Sequence, residues 1–315
     1  MASSTSTTTA TTTVFAEMMN KARTADGFLA ALDQSGGSTP KALKSYGVPD
    51  DKYVAGEESM FDEVHAMRTR MITSPSFSGD KIVGAILFED TMDRDIEGKP
   101  TGLYLWEAKK IVPFIKCDKG LTEGKDGVQL MKPMPQLDDL LKKAKSKQMF
   151  GTKMRSVIKS SKSPDMIQAV VDQQFEVGKQ IIDAGLCPIL EPEVDINSDD
   201  KSTIEDILLT KMLKGLDELP DTSNVMIKLS IPTKVDLYKP LADHPRCVRL
   251  VALSGGYSRD EANLLLSKQT NMIASFSRAL AEGLSYGQTP KEFDTTMSDN
   301  VESIYVASKD PSSSS

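Results

Sequence analysis

The sequence predicts a single-domain α/β fold, a (β/α)8 or TIM barrel, and three observations point there. Eight apolar runs of strand length recur along the chain, each followed by room for a helix. A length of 315 residues with 39% apolar composition suits one large domain with a substantial core. No GxGxxG follows the first run, which disfavours the alternative way of arranging parallel βα units, an open doubly wound sheet.

In chain order, residues 1–13 (MASSTSTTTATTT) are low-complexity Ser/Thr with no apolar anchor, so a disordered tail is expected. The alternative is the remnant of a plastid-type targeting peptide, disfavoured by the short length and the lack of arginine. The barrel is expected over 14–306. Its strand-like runs are GFLAAL (27–32), IVGAILF (82–88), IVPFIK (111–116) and MFGTKM (149–154), then CPILE (187–191), VMIKLSI (225–231), VRLVAL (248–253) and MIASF (272–276). Between the first two, Met60, Val64, Met67 and Met71 recur at helical spacing until TSPS stops the pattern. After the fourth, Ser163-Pro164 reads as an N-cap and first helical position. Ile167, Val171, Phe175 and Ile182 then form one apolar stripe, closed by Gly185. After the seventh, Ser258 and Glu261 predict a capping box on the helix carrying Leu264 to Leu266. Residues 307–315, ending KDPSSSS, read as a second disordered tail.

Composition narrows the function. A net charge of −7 and a pI near 5.1 argue against general binding to nucleic acid or anionic membrane, so any phosphate seat must gather its cations locally. No apolar run approaches the roughly 18 residues of a membrane span. Cys117, Cys187 and Cys247 are widely spaced and odd in number, which fits a reducing compartment, the cytoplasm, better than disulfide pairing. The two histidines, His65 and His244, lack partners at ligand spacing, so no histidine-built metal site is expected, and no cofactor. A homo-oligomer is compatible with the several interfaces a barrel exterior offers.

In such a barrel the strand C-termini converge on one face, where chemistry sits. Strand one ends at Asp33 in LDQSGGSTPK. This is either an ordinary strand–helix turn or a carboxylate base beside a phosphate cradle of Ser35, Ser38 and the Gly36 and Gly37 amides. Strand three ends at Lys116, with Asp118 and Lys119 in a turn that on its own reads as a solvated charged loop. Lys153 and Arg155 on strand four share a face, about 7 Å apart, and would repel unless an anion or carboxylate lies between them. Glu191 and Glu193 on strand five share a face too and can supply that charge, whether as catalyst or as buried ion pair. Lys228 interrupts the apolar sixth strand. A closed barrel has no edge, so this amine is partly desolvated, and burial together with a nearby Lys153 lowers its pKa. A neutral amine is what attack on a ketone requires. Ser254, Gly255 and Gly256 after strand seven, and Arg278 after strand eight, occupy the recurrent phosphate seat of this fold.

The motifs AALDQSGGSTPKAL, VPFIKCDKG, FGTKMR, PILEPEV, VMIKLSIP, VALSGGYS and ASFSRAL, in this order and at these spacings, resemble the strand-end motifs of class I fructose-bisphosphate aldolases. The likeness covers roughly residues 14–306 and is closest to the shorter bacterial-type branch. It implies a metal-independent lyase of glycolysis and gluconeogenesis that reversibly cleaves fructose 1,6-bisphosphate to dihydroxyacetone phosphate and glyceraldehyde 3-phosphate. By that resemblance Lys228 forms the Schiff base, Glu191 is its acid/base, Lys153 the cationic neighbour and Glu193 a supporting carboxylate. Asp33 takes the C4 hydroxyl proton. Ser254, Gly255, Gly256 and Arg278 hold the ketone-side phosphate, and Ser35, Ser38, Lys116 and Arg155 face the aldehyde-side one. Two departures stand out: Ala42, beside Lys41, replaces an arginine of the animal enzymes, and no C-terminal tail tyrosine follows Tyr305. The rival readings are a Schiff-base barrel acting on a monophosphate, and a non-catalytic binding barrel.

Overall fold

A computed structural model of the chain describes residues 4–35 and 39–309. Among them, eight parallel strands close on one another. They are β1 (Phe28–Leu32), β2 (Ile82–Leu87), β3 (Val112–Lys116), β4 (Gly151–Ile158), β5 (Cys187–Val194), β6 (Val225–Ser230), β7 (Cys247–Leu253) and β8 (Met272–Phe276). Each pairs with its sequence neighbours, and β8 pairs with β1, so the chain forms the expected (β/α)8 barrel. Every predicted run becomes a strand. β4 and β5 run further than expected because they pair along their whole length, from Gly151↔Cys187 to Ile158↔Val194. A short antiparallel strand, Val128–Gln129, also braces the end of β4.

Alternation along each strand sorts its side chains into two apolar layers. Phe28, Ala30 and Leu32, with Leu190, Ile227, Ala252 and Ala274, face the helices. Leu29, Phe114, Ile189, Met226, Val251 and Ile273 fill the barrel interior. Continuing each interior column two or four residues toward the strand C-terminus reaches Asp33, Lys116, Glu191 and Lys228. The polar site therefore stands on an apolar floor.

The helical expectations are met with two differences. Ser163 caps Pro164–Asp183 by accepting from the Met166 amide, and Gly185 follows at φ +81°, a left-handed turn that suits glycine. Ser258 accepts from the Glu261 amide to open Arg259–Leu266, but only that half of the box is made, and Leu264 is 60% exposed. This eight-residue helix has one narrow buried face, Ala262 and Leu266, and Leu264 lies off it. The complete capping box is at Thr289 and Glu292, before Pro290–Ala307.

The termini differ from the expected tails. A helix spans Ser4–Thr24, beginning inside the Ser/Thr-rich stretch. Its second half supplies the anchor that residues 1–13 lack. Met18 and Ala22, with Val14, Phe15 and Met19 beside them, pack into the apolar cluster that plugs the N-terminal mouth of the barrel. Arg249 donates to the Ala22 and Ala25 carbonyls at 3.1 and 2.9 Å, closing the helix end. A helix anchored this way extends cooperatively toward its N-terminus. At the other end, Ser308 donates to the Ile304 carbonyl and accepts from the Ala274 amide, fastening the last helix to β8. Of the expected second tail, residues 310–315 lie outside the described ones.

Candidate active site

The interior columns meet at the C-terminal mouth in a chain of alternating charges. Lys228, Lys153 and Glu191 are 4%, 4% and 3% exposed, deep below the rim. Glu191 lies between the two ammonium groups, with Oε1 3.0 Å from Lys228 Nζ and Oε2 2.9 Å from Lys153 Nζ. The Lys153 ammonium also reaches Asp33 Oδ2 at 2.6 Å. Residue order along the barrel wall sets this sequence: β6 brings Lys228, β5 Glu191, β4 Lys153, and β1 brings Asp33 from across the mouth. The backbone of Glu191 is itself fixed, since its amide donates to Gln174 Oε1 at 3.2 Å and Gln174 in turn donates to Ser156 Oγ at 3.0 Å.

Burial works against every charge here, and neighbours decide the outcome. Burial alone would raise the Asp33 carboxyl. Lys153 first, then Lys228 and Lys116, outweigh it and hold it at about 2. Burial would lower the Lys153 ammonium, yet Asp33, Glu191 and Asp118 hold it well above the ordinary lysine range. Burial pushes the Glu193 carboxyl up, opposed by the Arg155 guanidinium 3.1 Å away and reinforced by Glu191. At neutral pH the Asp33–Lys153 pair is therefore fully ionised.

Above this chain lies a cavity of about 570 Å³. Lys116, Lys153, Arg155, Lys228 and Arg278 line it against Asp33, Asp118, Glu191 and Glu193, an excess of cations in a protein of net charge −7. Asp118 organises one wall: Oδ1 lies 2.9 Å from Lys116 Nζ, and Oδ2 accepts from the Arg155 amide at 3.3 Å. Across the mouth, Ser254, Gly255 and Arg278 also line the cavity. Gly255 and Gly256 stand at φ +61° and +136°, turning their backbone back toward the mouth. A Cβ built on Gly256 would lie 3.8 Å from the Arg278 guanidinium, so the glycine turn and the arginine are neighbours.

Of the residues singled out in the sequence, Asp33, Ser35, Lys116, Lys153, Arg155, Glu191, Glu193, Lys228, Ser254, Gly255 and Arg278 converge on this one cavity. Gly256 sits at its edge, and Ser38, with Gly36 and Gly37, lies outside the described residues. The sequence reading set Lys153 near Lys228, and in the structure the Glu191 carboxylate lies between the two. Lys41 and Ala42 line an adjoining cavity, not this one. Tyr305 lies away from the site, its ring 5.9 Å from Lys81 Nζ and 4.6 Å from Lys309 Nζ. Asp118, Gln34, Ser275 and Ser277 also line the cavity, and no role was drawn for them from sequence. Gln174 and Arg68 support it from the helix layer. Both signals were present, because each polar side chain falls on the apolar face of its helix.

Known proteins resemble this chain in sequence and in fold. The sequence model of the family described as fructose-bisphosphate aldolase class-I matches residues 15–220. A Synechocystis sp. protein described as fructose-bisphosphate aldolase class 1 is 56% identical over 292 residues, covering 93% of this chain and 97% of its own. A solved structure of fructose-bisphosphate aldolase from Plasmodium falciparum superposes with a TM-score of 0.70, covering 94% of each chain. At 20% identity it speaks to the fold alone.

Proposed function

The chain belongs to the class I fructose-bisphosphate aldolase family, and from that premise we propose how its residues divide the work. The enzyme reversibly cleaves fructose 1,6-bisphosphate to dihydroxyacetone phosphate and glyceraldehyde 3-phosphate through a Schiff base, without a metal.

Lys228 Nζ attacks the C2 ketone. Glu191, 3.0 Å from that nitrogen, takes the proton the Lys228 ammonium gives up on attack and returns it to the developing alkoxide. It then takes a second proton from the carbinolamine nitrogen and delivers it to the departing hydroxyl, so water leaves and an iminium remains. Asp33 then takes the C4 hydroxyl proton. The C4 oxygen becomes a carbonyl, the C3–C4 bond breaks, and its electrons flow into the iminium to give a neutral enamine. The iminium is the electron sink, so no high-energy carbanion forms. Lys153, charged and ion-paired with both carboxylates, keeps them aimed at opposite ends of the reacting carbons. Ser254, the Gly255 and Gly256 amides and Arg278 hold the ketone-side phosphate. Lys116 and Arg155, with Ser35 and Ser38, hold the aldehyde-side one.

The observation that carries this assignment is the buried Lys228–Glu191–Lys153–Asp33 chain, at 3.0, 2.9 and 2.6 Å, on the floor of a cationic cavity. Two cationic walls favour a bisphosphate over a monophosphate. Steady-state turnover of fructose 1,6-bisphosphate and fructose 1-phosphate tests this. Removing the aldehyde-side wall with Arg155→Met is expected to erode most of the wild-type kcat/KM preference for the bisphosphate, and an unchanged preference would contradict the assignment.

Among the described residues no helix is long and apolar enough to cross a membrane. The three cysteines are free and buried, with thiols pushed up to about 12 by burial, which supports a reducing compartment. We place the enzyme in the cytoplasm, with a small sugar phosphate as its partner.

A further inference from the structure

We infer that Arg68, outside the cavity wall that holds the reacting groups, is a positioning residue for Asp33 and so controls the carbon–carbon cleavage step but not Schiff-base formation. This rests on the reading of Asp33 as the base that takes the C4 hydroxyl proton.

The need arises from the end of β1. Its last registered pair is Leu32↔Leu87, so Asp33 and Gln34 lie beyond the ladder that fixes the rest of the strand. A reacting carboxylate must nevertheless be held to a fraction of an ångström. Arg68 supplies the missing anchor. It projects from the helix Glu58–Thr73 and is 1% exposed, and its guanidinium donates to the Gln34 carbonyl at 2.6 Å and to Thr91 Oγ1 at 2.7 Å. Gln34 directly follows Asp33, and Thr91 lies in the short helix after β2. One planar fork thus ties the end of β1 to the end of β2 where hydrogen bonds between the strands have stopped.

The same peptide is held from the other side. The Gln34 side-chain amide donates to Ser277 Oγ, just before Arg278 after β8. The Asp33–Gln34 unit is therefore tied to the ends of β2 and β8, and from it the Asp33 carboxylate reaches Lys153 Nζ at 2.6 Å. A buried guanidinium is costly to keep charged. Burial pulls its pKa down to about 10, with Asp33 and Asp90 opposing, so it remains a cation at neutral pH. A buried neutral donor could satisfy one carbonyl, but it could not bridge two strand ends and also face the Asp33 carboxylate with positive charge. The helix pattern marks Arg68 as unusual in the same way, four residues after Val64 on the face that buries Met60, Met67 and Met71.

The test separates two half-reactions of the full-length enzyme. Dihydroxyacetone phosphate forms the Lys228 imine without needing a base at C4, whereas cleavage of fructose 1,6-bisphosphate needs both. For Arg68→Met, the expected result is cleavage kcat down about 100-fold, KM within about twofold, and borohydride-trapped imine from dihydroxyacetone phosphate at the wild-type level. Arg68→Lys, which keeps the charge and one donor, should recover part of kcat. A parallel loss of cleavage and imine trapping would mean a merely structural role and overturn the inference, as would unchanged cleavage. Should Arg68→Met fail to fold, Thr91→Val removes one anchor of the fork. It is expected to lower cleavage several-fold with trapping intact, and unchanged cleavage in it would also overturn the inference. If wild-type enzyme gives no trapped Lys228 at all, the Schiff-base reading fails instead, and the two failures are distinct.

Discussion

Asp33 shows how conflicting demands on one carboxylate are settled. Burial opposes its charge, but the surrounding ammonium groups prevail and hold it at about 2, against 3.8 for an ordinary aspartate. A depressed folded-state value means the charged form stabilises the fold. The contribution is complete above about pH 4 and is lost as pH falls through about 2, amounting to about 2 kcal/mol. Urea unfolding of wild type and Asp33→Asn should therefore show a stability gap that is constant from pH 7 to about 4 and shifts by about that amount by pH 2. A gap that did not change with pH would show the carboxyl to be unperturbed. Lys228, Glu191 and Lys153 could be read from the sequence because each breaks an apolar strand with a charge at a strand end. Their order could not. Parity puts Lys153 and Glu191 on interior faces, but only the barrel's stagger between neighbouring strands places the Glu191 carboxylate between the two lysines.

The strands carry the site, and their contacts are tight. A Cβ on Gly151, at the start of β4, would lie 2.1 Å from the Cys187 carbonyl oxygen and 2.9 Å from the Phe114 ring. The neighbouring backbone cannot retreat without opening the β4–β5 ladder, which continues to Arg155↔Glu191 at the site. Gly151→Ala is expected to destabilise the enzyme by roughly 3 kcal/mol or more, measured by urea denaturation, with reduced kcat in the fraction that folds. A stable, fully active variant would contradict the packing described. Eight strand-length runs made these elements readable, since a parallel barrel strand is apolar on both faces. Helical spacing gives a stripe without saying which neighbour covers it: Ile182 packs against the core from its edge, while Leu264 stands 60% exposed. Arg68 and Gln174 were passed over for the complementary reason. A polar residue on an apolar stripe looks like noise until the strand end it supports is known.

For the whole molecule, function and stability are separated along the barrel axis. The charged site occupies the C-terminal mouth, while the helix Ser4–Thr24 plugs the N-terminal mouth with Met18, Ala22 and their neighbours. Met18→Ala should cost about 2–5 kcal/mol of stability while kcat at 25 °C stays within about twofold of wild type, because no catalytic residue touches that end. A large fall in kcat from a folded variant would mean that the two ends are coupled. The composition of residues 1–13 concealed this plug, since its anchoring side chains begin only at Val14. The claim joining all three levels is that the barrel buries one amine, Lys228, where it captures a ketone. The most direct measurement is mass-spectrometric mapping of enzyme reduced with borohydride in the presence of dihydroxyacetone phosphate. A single adduct on Lys228 is the predicted result, and an unmodified Lys228, or an adduct on Lys153 or another lysine, would contradict it.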